Sequence, residues 1–274
     1  MTSRPLAANC GRSIWNPRRG DPNLITANRT DIGRVRQVNE DSYWVEELEG
    51  GVVVAVVADG MGGHLAGEVA SRMTVDSLRD SLCVITPGMP EQQCEALLRE
   101  AIKTANEAVY DTASRNERYS NMGTTVIIAV VDDGRAVVAH VGDSRVYKAG
   151  ADGLTLLTDD HTLVNELLKS GQITAEEAAV HPRRNVIMRA VGTDPAVEAD
   201  VSAHALHPAD ILLLCSDGLT DMVSQDQMLT TLQTETIDLD GKAERLVQLA
   251  LQAGGDDNIT VVLMQGDAGQ KREE

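Results

Sequence analysis

Four short acid-bearing motifs hold the chemistry legible in this chain: Asn39-Glu40-Asp41, Asp59-Gly60-Met61-Gly62-Gly63-His64, Ser216-Asp217-Gly218 and Asp256-Asp257-Asn258. Each lies where an apolar, strand-like run begins or ends. Carboxylates delivered this way can converge, and a cluster of like charges is tolerable only if cations or protons neutralise it. A single Asp-Gly reads as a turn. Four acidic strand ends together read as a cage for hard metal ions, and a hydrolytic metal site follows. Carboxylates and backbone carbonyls suit Mg²⁺ or Mn²⁺, whereas zinc would recruit His or Cys.

The elements that must position these groups are visible as apolar runs. Val52 to Ala58 leads into Asp59, and Ile211 to Ser216 leads into Asp217. Asp257-Asn258 precedes Ile259 to Met264, and Glu40-Asp41 precedes Ser42 to Val45. Glu68 to Leu82 and Gln92 to Arg115 have the apolar spacing of amphipathic helices. From Thr124 onward, short turns at Asp132-Asp133-Gly134-Arg135 and Asp152-Gly153 separate apolar runs, which predicts antiparallel hairpins. Two packed antiparallel sheets flanked by helices is the natural architecture. Between Asp159 and Val191 the apolar pattern weakens around Gly171, Glu176-Glu177 and His181-Pro182, which suggests a surface excursion near the acidic strand ends and the best candidate for substrate contacts.

The segment Thr30 to Asp41, containing Asp31-Ile32-Gly33-Arg34-Val35-Arg36, resembles the opening motif of the metal-dependent protein phosphatases of the PP2C type in their bacterial form. Asp59 to Glu68 resembles the second motif. Gly123-Thr124-Thr125, Gly142-Asp143-Ser144-Arg145, Asp160-His161-Thr162, His181-Pro182, Ser216-Asp217-Gly218-Leu219 and Asp256-Asp257-Asn258-Ile259-Thr260 follow in family order. The resemblance runs from about Asn23 to Gly266 and implies an α+β fold, a four-layer αββα sandwich, with residues 159–191 as a flap beside the catalytic cleft. It implies hydrolysis of phosphoserine and phosphothreonine by a water shared between two tightly bound Mn²⁺ or Mg²⁺ ions and held in line with phosphorus.

Carried over residue by residue, Asp59 would bridge both ions. Glu40 and the Gly60 carbonyl would complete one, and Asp217 with Asp257 the other. Asp41 would orient water from behind the ligands, and Arg36 would grip the phosphoryl oxygens. A weaker third ion would lie on Asp143 and Asp217, with Asp221 reaching it through water; Asp143 also reads as a simple hairpin-turn residue. His64 is a candidate general acid for the leaving oxygen. Animal members of the family place a His directly after Asp-Gly, where Met61 stands here, and His64 also reads as a helix-start residue. His161 and His181 read as structural.

Composition narrows the field. The 274 residues carry a formal charge of -18, the wrong sign for a nucleic-acid partner, which needs clustered Lys and Arg. At 42% hydrophobic residues and no Phe, the core must be aliphatic. Cys10, Cys83, Cys94 and Cys215 have neither disulfide density nor zinc spacing. Cys215 ends an apolar run and reads as a small buried hydrophobe rather than a nucleophile. No apolar run approaches the ~18 residues of a membrane span. The expectation is a cytoplasmic monomer, and the family resemblance implies phosphorylated proteins as its partners, targets of a bacterial serine/threonine kinase with the kinase itself among them. Residues 1–22 read as a flexible leader, 23–266 as the catalytic domain and 267–274 as a polar tail.

Two other functions fit parts of the sequence. The strand before Asp59, the glycines at 60, 62, 63 and 67 and the helix after them imitate a dinucleotide-binding loop. That unit requires a parallel strand next, with an acid about 20 residues beyond the loop; here another helix follows. A catalytically degenerate phosphoprotein-binding module would need to have lost a ligand, yet Glu40, Asp59, Asp217 and Asp257 are all present.

Overall fold

The computed structural model describes residues 24–63 and 66–266. The expected leader, the expected tail and His64 lie outside the described residues. The chain begins with β1 (Leu24–Asp31), β2 (Asp41–Glu47) and β3 (Val53–Met61), then two consecutive helices, α1 (Ala66–Leu82) and α2 (Glu91–Arg115). Five strands follow: β4 (Gly123–Thr124), β5 (Val126–Asp132), β6 (Arg135–Val141), β7 (Arg145–Gly150) and β8 (Gly153–Leu156). Two short helices, α3 (Leu163–Lys169) and α4 (Ala175–Ala179), occupy the excursion before β9 (Asp200–Ala205) and β10 (Ile211–Cys215). The chain closes with α5 (Asp217–Thr220), α6 (Gln225–Gln233), α7 (Leu239–Ala253) and β11 (Ile259–Gly266).

The strands form two sheets, one ordered β1-β11-β10-β7-β8 and the other β2-β3-β5-β6-β9 with β4 on β3. Neighbours pair antiparallel throughout. That pattern is the expected α+β sandwich and removes the dinucleotide-binding reading, since no parallel strand follows β3 and α1. The predicted turn at Asp133-Gly134 is a two-residue hairpin with both residues at positive φ, +42° and +73°, the conformation that matches the twist of paired strands.

The continuous apolar runs are explained by burial on both faces. Val53, Ala55 and Val57 of β3 point between the sheets, against Leu212, Leu214, Val262 and Met264 of the opposite one. Val54, Val56 and Ala58 point outward beneath Leu78, Leu98 and Ile102 of α1 and α2. On the other side, Leu213, Val261 and Leu263 pack under Leu246, Val247 and Ala250 of α7. Four layers leave few half-exposed strands, so alternation is suppressed and only the run length signals β.

The run before Asp59 does not end there. β3 continues through Met61 because Gly60 and Met61 pair with Thr124 and Gly123 of β4. Asp59 is therefore held inside a strand, a stiffer mount than the turn its Asp-Gly suggests. No helix among the described residues is long and apolar enough to cross a membrane.

Candidate metal centre

The two sheets meet at one end of the sandwich, and the acidic motifs meet there with them. Asp41 opens β2 directly opposite Asp59 of β3. Asp41 also reaches across to the other sheet: its Oδ2 accepts hydrogen bonds from Ser216 Oγ at 2.8 Å and Thr260 Oγ1 at 2.6 Å. Ser216 is the N-cap of α5, whose first residue is Asp217. On the far side, Glu40 N donates to Asn258 Oδ1 at 2.7 Å, next to Asp257.

Glycine permits the close approach. A Cβ on Gly60 would collide with the Gly67 carbonyl, and one on Gly67 would stand 2.6 Å from Glu40 Oε1. A Cβ on Gly218 would collide with the Asn258 carbonyl. The glycines after Asp59 and Asp217 are thus close-packing positions as much as turn formers.

Burial raises the pKa of Glu40, Asp41, Asp59, Asp143 and Asp217. Burial and then the neighbouring charge of Asp217 hold Asp41 and Asp143 near 7, the Asp41 value being partly offset by its two hydroxyl donors. Burial, then Asp257 and Asp221, hold Asp217 near 6. Asp59 is pushed well upward by burial and by Asp41, Asp217, Asp143 and Asp257 in that order. Burial also raises Glu40, against the pull of Arg36. Three buried oxygens here, Glu40 Oε1, Asp41 Oδ1 and Asp217 Oδ1, have no hydrogen-bond partner. Orphaned carboxylate oxygens in such a site are costly unless a cation satisfies them, and an all-oxygen set is the chemistry of Mg²⁺ or Mn²⁺. The residues fit divalent ions.

The other predicted residues fall around this cluster. Asp143 follows β6 at the Gly142 turn, only 9% exposed. It lines a cavity of about 750 Å³ with Asp217, Asp221, Arg145, Asp160 and Arg184. Arg36 lies on the loop between β1 and β2, half-exposed, with Nη2 donating to Asp257 Oδ2 at 2.6 Å. Cys215 is buried, and burial pushes its thiol up to about 12, so it is protonated and inert.

Several residues that hold the site have no role in the sequence reading. Asn258 donates to the Ile32 and Val38 carbonyls at 2.9 and 3.0 Å, knitting the Arg36 loop to β11. Asn39 Nδ2 donates to Thr30 Oγ1, which bonds Thr260 Oγ1, which donates to Asp41, each step at 2.6 to 2.9 Å. Thr124 Oγ1 and Thr125 N both donate to the Asp59 carbonyl. The signal available was their adjacency to the acidic motifs. Nothing local distinguishes a hydroxyl aimed at a carboxylate from one aimed at solvent.

A second cluster lies beside Asp143. Ligand-type atoms of His140, His161 and Asp200 fall within 4.8 Å of one another. Their hydrogen bonds, to the Asp159 carbonyl, the Gly142 amide and one another, explain them without an ion.

A sequence profile described as Protein phosphatase 2C matches residues 33–252, so the chain belongs to the protein phosphatase 2C family. It is 42% identical over 243 residues to the serine/threonine phosphatase stp of Listeria monocytogenes, covering 89% of this chain and 96% of that protein. The serine/threonine phosphatase of S. agalactiae superposes with a TM-score of 0.83 at 40% identity, over 88% of this chain and 99% of that one. The catalytic domain of the phosphatase PstP, solved in complex with two manganese ions, gives 0.77 at 37% identity, over 89% and 98%.

Proposed function

We propose that this protein is a serine/threonine protein phosphatase that hydrolyses phosphoserine and phosphothreonine in other proteins, using divalent cations. The observation that carries the reading is the convergence of Glu40, Asp41, Asp59, Asp217 and Asp257 with three orphaned buried oxygens among them. Glu40, Asp59, Gly60, Asp217 and Asp257 would hold two ions. Bound there, such ions supply a nucleophilic water at neutral pH and offset the charge that develops on the phosphoryl oxygens.

The protein's own groups do the rest. Asp41 is fixed by the Ser216 and Thr260 hydroxyls with its free oxygen turned to the cage, which suits it to orient the attacking water. Arg36 stands at the rim beside Asp257, where its planar fork can grip two phosphoryl oxygens and stabilise the transition state. His64 is the proposed proton donor to the leaving oxygen, on its sequence position alone. The ions in this reading are Mn²⁺ or Mg²⁺, and substrates of a bacterial serine/threonine kinase, the kinase included, are the proposed partners. Cys83, Cys94 and Cys215, the cysteines among the described residues, are free, which supports a reducing cytoplasm.

The test is phosphate release from phosphothreonine and phosphotyrosine peptides with Mn²⁺, Mg²⁺ or chelator. Release from phosphothreonine that requires the metal is expected. Full activity in chelator, or a trapped covalent phosphoenzyme, would refute the mechanism.

Asp143 is assigned to a third, weaker ion together with Asp217 and Asp221. Asp143→Ala should then lower turnover on the order of tenfold while calorimetry still counts two tight ions. An unchanged metal count with unchanged turnover would reduce Asp143 to a turn residue.

A further inference from the structure

We propose that His161 is a positioning residue that couples the flap to the Asp143 side of the cage, one ring nitrogen holding each. His161 stands where the flap leaves the body of the protein and is 2% exposed. Its backbone N–H donates to the Gly142 carbonyl at 3.0 Å, and its Nδ1 accepts from the Gly142 N–H at 3.1 Å. Both bonds therefore close on the residue immediately before Asp143.

That second bond fixes the tautomer. A backbone N–H can only donate, so Nδ1 carries no proton and Nε2 must. Nε2 faces Asp200 Oδ2 at 3.3 Å, and Asp200 Oδ1 takes Arg189 Nη1 at 3.0 Å. The ring is stacked on His140 with centroids 4.7 Å apart. A cation on Nε2 would have to displace that proton while Nδ1 still served the amide. The trio is consequently a hydrogen-bonded anchor in preference to a metal site.

The anchor controls how the flap closes on itself. Met188 N donates to the His161 carbonyl at 2.7 Å, Leu163 N donates to the Val186 carbonyl at 2.9 Å, and Thr162 bridges Ile187. Outgoing and returning strands of the flap are thus paired at His161. Arg189, on the returning strand, is pinned by Asp200 and by the Glu198 carbonyl. One imidazole sits between the turn that aims Asp143 and the hinge that aims the flap.

The two nitrogens can be separated by substitution. Asn places an amide oxygen near the position of Nδ1, and Gln places an amide nitrogen near that of Nε2. Asp200→Ala should leave kcat for para-nitrophenyl phosphate within about twofold and raise KM for a phosphothreonine peptide about fivefold or more, because only flap placement is lost. His161→Gln should also lower kcat on both substrates about tenfold, since the buried Gly142 amide loses its acceptor. His161→Asn should restore kcat to within about threefold while the peptide KM stays raised. Hydrogen exchange supplies a readout independent of activity: the Met188 and Leu163 amides should exchange faster in Asp200→Ala, and the Gly142 amide only in His161→Gln.

This inference rests on the phosphatase reading, and the two fail differently. A wild-type protein inert toward both substrates overturns the reading. An active wild type whose three variants share one proportional loss, or differ only in melting temperature, overturns the coupling. Should His161→Gln fail to fold, Asp200→Ala with an unchanged peptide KM is sufficient to sink it.

Discussion

Asp59→Asn should abolish turnover, by about 10³-fold or more on a phosphothreonine peptide, while leaving the sandwich folded. Asp59 is the carboxylate on which the charges of Asp41, Asp217, Asp143 and Asp257 all bear. Its backbone is held by Thr124 and Thr125 and its strand by pairing on both sides, so the amide variant has every reason to occupy the same place. Removing one ionisable group from a crowded, buried cluster relieves repulsion. The variant should therefore melt at or above the wild type in chelator. In Mn²⁺ it should melt below it, because the stabilisation conferred by the ion is lost. Melting curves with and without Mn²⁺, beside turnover on the same samples, check both halves. A variant that keeps a tenth of wild-type activity and the full Mn²⁺ stabilisation would remove Asp59 from the cage.

The second large effect is on the pH dependence of metal stabilisation. In the folded chain without ions, Asp41 and Asp143 titrate near 7 and Asp217 near 6, each raised by burial above its ordinary carboxylate value. A group whose folded pKa is raised favours the folded state fully below its unfolded pKa. It loses that contribution as pH climbs through the folded value. The chelated protein should accordingly lose stability between about pH 4 and pH 7 from these groups, on the order of 4 kcal/mol for Asp143 alone. Divalent ions replace the protons, so the rise in melting temperature on adding Mn²⁺ should be small at pH 5 and large at pH 7.5. Taking the difference between the two curves at each pH cancels opposing groups such as Asp159 and Asp200, whose pKa values are lowered by their partners. An equal Mn²⁺ effect at both pH values would mean that the ions bind elsewhere.

Much of this was legible in the chain because the acids and the runs that carry them are contiguous. Val52 to Ala58 and Ile211 to Ser216 are long, apolar and bounded by an acid, which suffices to place a buried strand and its ligand. The hairpin at Asp133-Gly134 was legible for the same local reason. What escaped depends on pairings distant in sequence. The extension of β3 through Met61 exists because β4 lies beside it, and β4 is only two residues long. The grip on Asp41 comes from Ser216 and Thr260, 175 and 219 residues away. His161 reads as structural from its motif, and only the bond from Gly142 shows which part of the site it sits against.

The division of the cage between the two sheets has a consequence for the protein's synthesis. Glu40, Asp41 and Asp59 belong to β2, β3 and the loop before them, while Asp217 follows β10 and Asp257 precedes β11, at the end of the sheet in which the first strand, β1, lies against the last, β11. A nascent chain can emerge from the ribosome with the first sheet and its helices complete and still lack Asp217 and Asp257, two of the proposed ligands. The second sheet cannot close until residues 259–266 have been translated, since β11 is the partner of both β1 and β10. Hydrolytic competence thus cannot precede the synthesis of residues 259–266, and a copy that lacks them or is only half folded is inert toward the phosphoproteins around it.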